Sequence, residues 1–103
     1  MFKVKIDDGN DNIYTSLFNI TTTFDKDFLI LTLISATQTI EYRISSDERF
    51  KSIALIENFL QKQIDLCNAE IPFVIKEDTR RSYIRINDYI EPLTAYRLQK
   101  III

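Results

Sequence analysis

Histidine is absent from this chain and cysteine occurs once, which narrows the chemistry its side chains can perform. Cys/His zinc sets, Ser-His-Asp triads and Cys-His nucleophile pairs are all excluded. Cys67 falls on the apolar stripe of a helical pattern, so it is expected as a buried thiol rather than a reactive one. The acidic stretch "DDGNDN" places Asp8, Asn10 and Asn12 at alternate positions, like a calcium loop. The match fails where it matters: Ile13 stands at the sixth position instead of Gly, and Asn19 at the twelfth instead of a bidentate Glu. Among the other carboxylates no spacing singles out a pair for acid–base or glycosidic work. No catalytic residue, cofactor-binding residue or metal ligand is therefore assigned, and no cofactor is expected.

Two charged groupings remain. In "TRRSYIRIND" a strand would put Arg81, Tyr83 and Arg85 on one outward face, with Arg80 beside them. A ring between guanidinium groups can stack a base while the cations meet phosphate, so this is a candidate single-stranded nucleic-acid face. Glu77 and Asp78 precede it and offer those arginines ordinary ion-pair partners. The second grouping is acidic. Asp7, Asp8, Asp11, Asp25 and Asp27 lie in two loops that bracket one strand and could mimic a phosphate backbone if they lined one surface. The net charge of −2 gives no global attraction to nucleic acid or to anionic membrane.

A third feature is apolar. The chain ends "TAYRLQKIII", and consecutive isoleucines put side chains on both faces of a strand. Either the tail completes the core, or Tyr96, Leu98, Ile101, Ile102 and Ile103 form the edge of a homodimer, since a long uncovered edge invites aggregation. The two-layer expectation below covers one face only, which favours the homodimer.

These residues need a scaffold. At 103 residues, 46% hydrophobic and 27% charged, the chain fits one globular domain spanning 1–103 and lies far from the disordered regime. One Gly and two Pro leave the turns to Asp, Asn, Ser and Thr. "FKVKI" alternates as a half-buried strand, and residues 13–24 form a second, with Phe18, Ile20, Thr22 and Phe24 on one face. "FLILTLISA" is apolar on both faces, as a strand in mid-sheet or covered from both sides would be. "TIEYRI" points Ile40, Tyr42 and Ile44 inward.

The period then changes. Ser45 and Glu48 fit a capping box, and Ile53, Ile56, Phe59, Leu60, Ile64 and Cys67 recur at helical spacing, predicting one amphipathic helix over roughly residues 46–67. Strands follow at 73–75 and 82–86, and Pro92 breaks the chain before a final strand. The expected fold class is α+β: a two-layer domain, mainly antiparallel sheet, ordered β-meander, helix, β-meander.

The N-terminus lacks a signal peptide and the longest apolar stretch, "FLILTLI", is too short to span a bilayer, so a cytoplasmic protein without a membrane segment is expected. Asn19-Ile20-Thr21 then matches the glycosylation pattern by chance. Isoleucine far outnumbers valine, the mark of AT-rich coding as in low-GC bacteria and their phages. The expected function is that of a small non-enzymatic protein-binding module, an inhibitor, adaptor or assembly subunit of the kind a phage or mobile element encodes. The alternative is a single-stranded nucleic-acid-binding protein using the Arg81/Tyr83/Arg85 face.

Overall fold

Side-chain alternation governs nearly every segment of the computed structural model, which describes residues 2–25, 28–46, 58, 60–62, 72–78, 81–94 and 96–103. Strand β1 (Phe2–Asp7) buries Val4 and Ile6 and exposes Lys3 and Lys5. β2 (Ile13–Asp25) buries Phe18. β3 (Phe28–Ile34) buries Leu29, Leu31 and Leu33, and β4 (Thr39–Ser46) buries Ile40, Tyr42 and Ile44. β5 (Phe73–Lys76) and β6 (Tyr83–Ile86) contribute Phe73, Ile75, Ile84 and Ile86. β7 (Tyr89–Pro92) and β8 (Tyr96–Ile102) complete the set. Each fully buried Leu or Ile is worth about 1.5–3 kcal/mol of transfer free energy, so these alternating positions are the main source of stability.

The strands form one eight-stranded sheet in the order β7-β6-β5-β1-β2-β3-β4-β8. All neighbours are antiparallel except β1 and β5, which run parallel with Val4 opposite Phe73 and Ile6 opposite Ile75. β2 serves two ladders. Residues Ile13 to Phe18 pair with β1, and Asn19 to Asp25 pair with β3. The sheet cannot be flat. Eight strands side by side would separate β7 from β8 by about 34 Å, whereas the three residues between Pro92 and Tyr96 reach about 14 Å at most. The sheet therefore curls at β2 without its edge strands pairing, so that β1, β5 and β6 face β3 and β4 across a single cluster of buried residues that includes Leu60 and Leu93.

The expected fold class is corrected here. Strands make up 69% of the described residues, and no helix of seven or more residues occurs among them, so the domain is a curled mixed sheet and not a two-layer α+β structure built on an amphipathic helix. Asn58, Leu60, Gln61 and Lys62 are helical, with Leu60 wholly buried and the Thr22 hydroxyl donating to Gln61 Oε1 at 3.0 Å. The rest of the expected helix, including Cys67 and Glu48, lies outside the described residues. Ser45 is not a cap: β4 runs on to Ser46, and Ser45 pairs with Phe28 on one side and Arg97 on the other. The physical reason for the misreading is that long-range pairing, which decides the class, leaves no local periodicity.

The second meander also differs from expectation. It includes a strand that the sequence reading lacked, β7, which ends at Pro92, opposite Tyr83, at the rim of the sheet where the missing N–H is tolerated; the final strand follows from Tyr96. Asn87, at φ 55°, turns β6 into β7 in a conformation that Asn tolerates better than most residues.

Candidate protein-interaction surface

Three polar residues from distant parts of the chain meet where the sheet curls. Tyr42 on β4 donates its phenol hydrogen to Glu77 Oε1 at 2.5 Å, and Lys100 on β8 reaches the same oxygen at 2.9 Å. Glu77 follows β5, and its backbone N–H donates to the Asp7 carbonyl on β1 at 2.7 Å. Burial, then the hydrogen bond to Glu77 and its charge, push the Tyr42 phenol far above its ordinary 10.0. The Lys100 ammonium also sits 5.9 Å from the Tyr42 ring centroid. Together these contacts clasp β4 and β8 to the end of β5 and fix the curl. Among the described residues no buried side-chain nitrogen or oxygen lacks a hydrogen-bond partner.

Beside the clasp, a cleft of about 320 Å³ is lined by Ile6, Asp8, Asp11, Asn12, Ile13, Tyr14 and Lys100. Its carboxylates organise a loop. Asp8 accepts from the Asn10 and Asn12 N–H groups at 2.7 and 3.3 Å and from Asn12 Nδ2 at 2.8 Å. Those hydrogen bonds, led by the Asn12 side chain, hold its carboxyl below the ordinary 3.8. Gly9 has φ +82°, and a Cβ there would stand 2.9 Å from the Asp78 Cβ, so the only Gly in the chain is required by the turn and by close packing.

The sequence-derived candidates separate. Asp7, Asp8 and Asp11 stand around the β1–β2 loop, but Asp25 closes the far end of β2, and Asp27 lies outside the described residues. Asp25 is thus separated from Asp7, Asp8 and Asp11 by the length of β2. Tyr83 and Arg85 share the outer face of β6, as their parity requires, but Arg81 lies in the turn before the strand, its N–H donating to the Asp78 carbonyl at 3.2 Å. Arg80 is outside the described residues. Lys76 approaches the Tyr83 ring at 5.9 Å, and Arg85 Nε donates to the Asn87 carbonyl at 3.0 Å, so both groups already have local partners.

The apolar candidates hold together better. β8 is an edge strand paired with β4 from Ser46–Tyr96 to Ile40–Ile102. Tyr96 and Leu98 pack against the core, Ile101 is half-buried, and Ile102 and Ile103 are 64% and 74% exposed. So the tail is neither wholly core nor wholly free.

Sequence reasoning missed the surface beside it. The outward residues of β3 are Phe28, Ile30, Thr32 and Ile34; Phe28 and Ile34 are 41% and 40% exposed. Ladder rows extend this surface: Thr21, Thr32, Glu41 and Ile101 form one, and Thr23, Ile30, Arg43 and Gln99 the next. Its charges are few. Arg43 Nε bonds Glu41 Oε2 at 3.2 Å, and Arg97 stands at the β8 end. A hollow of about 520 Å³ opens there, lined by Phe28, Arg43, Ser45, Arg97, Leu98 and Gln99. Other exposed apolar residues are scattered, with Leu17 opposite Lys3 and Ile13 opposite Asp7. The available signal was the two-sided apolarity of "FLILTLISA": β3 is central in the plane of the sheet, yet its outer face stays partly open at Phe28 and Ile34.

No family model, curated protein or solved structure matches this chain. Among the described residues no helix is long and apolar enough to cross a membrane.

Proposed function

We propose that this protein is a small cytoplasmic binding module, an inhibitor, adaptor or assembly subunit, that works by docking another protein and not by catalysis. The observation that carries the reading is the outer face of β3 and its neighbours, where Phe28, Ile30, Ile34 and Ile101 lie in adjoining ladder rows around one internally paired Glu41–Arg43 couple. Aliphatic and aromatic side chains on a β surface lose little entropy when covered, and a single ion pair among them supplies register more than affinity. The partner expected is a folded protein with an apolar patch and a basic and an acidic group placed to meet Glu41 and Arg43.

The test compares the wild-type chain with the Phe28→Ser/Ile34→Ser double variant as immobilised baits. A protein retained by the first and lost by the second, and then bound again as purified protein, supports the reading. Equal retention by both baits removes this face from it. Hydrolysis of an ester, phosphate or sugar panel by pure protein, abolished by Glu77→Gln or Asp8→Asn, overturns it in favour of an enzyme.

A further inference from the structure

The free edge of β8 has a geometry that selects its own occupant. The Ile103 N–H donates to the Thr39 carbonyl at 2.9 Å. In an antiparallel ladder the bonded positions alternate, so Ile101, Gln99 and Arg97 also turn their backbone groups toward β4. Leu98, Lys100 and Ile102 then turn theirs outward, where among the described residues no strand receives them. The opposite edge is blunted, because β7 has four residues, ends in Pro92 and carries Glu91. β8 is seven residues long, with no proline and no acid. Its inward-pointing Lys100 would ordinarily deter pairing, but that charge is held on Glu77.

We propose that β8 pairs with β8 of a second copy of this chain, antiparallel about a twofold axis at Gln99, joining the two sheets into one. The register follows from three requirements. Outward-turned groups must meet outward-turned groups, so even-numbered residues face even-numbered residues. A twofold through Lys100 would oppose two lysines. Twofolds through Leu98 or Ile101 leave part of the strand overhanging. Only the Gln99 axis overlaps all of Tyr96–Ile102, setting Leu98 opposite Lys100, Arg97 opposite Ile101 and Tyr96 opposite Ile102 of the second copy, with no like charges across. The Tyr–Ile pairs cover the exposed Ile102, and the outer face of β3 continues into its twin. This inference goes beyond the docking role proposed above and does not depend on it.

The register makes a test that a merely sticky edge would fail. Gln99 opposes its own mate at a non-hydrogen-bonded position, where Cα atoms lie about 4.5 Å apart, within disulfide range. In a Cys67→Ser background, mild oxidation should convert Gln99→Cys to a covalent dimer nearly completely, and Ile101→Cys far less. Light scattering should give the mass of two chains for the wild type. Ile102→Pro removes an N–H that β4 does not use, so it should weaken dimerisation at least tenfold while keeping a cooperative melt. A wild-type mass of one chain across a wide concentration range overturns the proposal, as does crosslinking at Ile101→Cys equal to that at Gln99→Cys. If Ile102→Pro fails to fold, amide exchange decides in its place: Leu98 and Lys100 should be protected at high protein concentration and exposed on dilution, and rapid exchange at both concentrations overturns the register.

Discussion

The two edges of the sheet end the same core in opposite ways. β7 is short, stops at Pro92, and shows Tyr89 and Ile90 to solvent beside Asp88 and Glu91. β8 is long, regular and basic, and it is bolted inward through Lys100 to Glu77 and Tyr42. A proline and two acids are devices that keep an edge single. The clasp does the reverse: it holds β8 straight and neutralises its inward charge, so the strand is presented as a rigid ladder. The two edges thus differ more in how firmly they are held than in how apolar they are.

The largest expected effects test whether both edges hang on one core. Ile44, opposite Leu98 beneath the β8 side, and Ile86, opposite Tyr89 on the β7 side, are both wholly buried. Ile44→Ala and Ile86→Ala should each cost about 2–5 kcal/mol in denaturant unfolding, with one transition in each case. Two transitions would mean that the halves of the sheet unfold separately.

Breaking the clasp should affect one edge only. Tyr42→Phe removes a hydrogen bond to a charged group, and Glu77→Gln removes the charge that Tyr42 and Lys100 share, each for a loss of about 1.5–3 kcal/mol. Amide exchange should quicken at Gln99 and Ile101 and stay unchanged in β6 and β7. The phenol also gives the loss a pH signature. Because its pKa is raised in the folded chain, Tyr42 stabilises fully below its ordinary value, and this contribution is lost as pH rises above about 10. The melting temperature of the wild type should therefore fall more steeply between about pH 10 and 12 than that of Tyr42→Phe.

Surface changes should sharpen the contrast without altering stability. Ile90→Ser and Ile102→Ser should each shift folding by only about 0.5 kcal/mol. Their effects on association should differ: Ile102→Ser lowers the light-scattering mass at a fixed concentration, and Ile90→Ser leaves it unchanged.

The smallest effect belongs to a residue that serves neither edge. Hydrogen bonds within the β1–β2 loop, led by the Asn12 side chain, hold the Asp8 carboxyl low, so its contribution is present above its ordinary 3.8 and fades as pH falls below it. Asp8→Asn should flatten slightly the acid limb of the melting-temperature profile and leave the light-scattering mass as it is.

In β1 and β6, strand identity and facing were determined by the sequence alone. Lys3 and Lys5 between Phe2, Val4 and Ile6, and Tyr83 and Arg85 around Ile84, place themselves, because a side-chain period of two sorts residues by face without reference to any partner. The same local logic placed the break at Pro92 but missed the strand that ends there, because a proline inside a short run argues against a strand until that strand is known to lie at an edge. Tertiary structure alone decided the partners. Nothing within "FKVKI" says that β1 takes β5 in parallel, and nothing in "YRLQKII" says that it returns to β4. The meeting of Tyr42, Glu77 and Lys100 was equally hidden, since it needs the sheet to bend at β2 until its two halves face each other. That curl follows from burying both inner faces at once, which is a property of the whole chain and of no single segment.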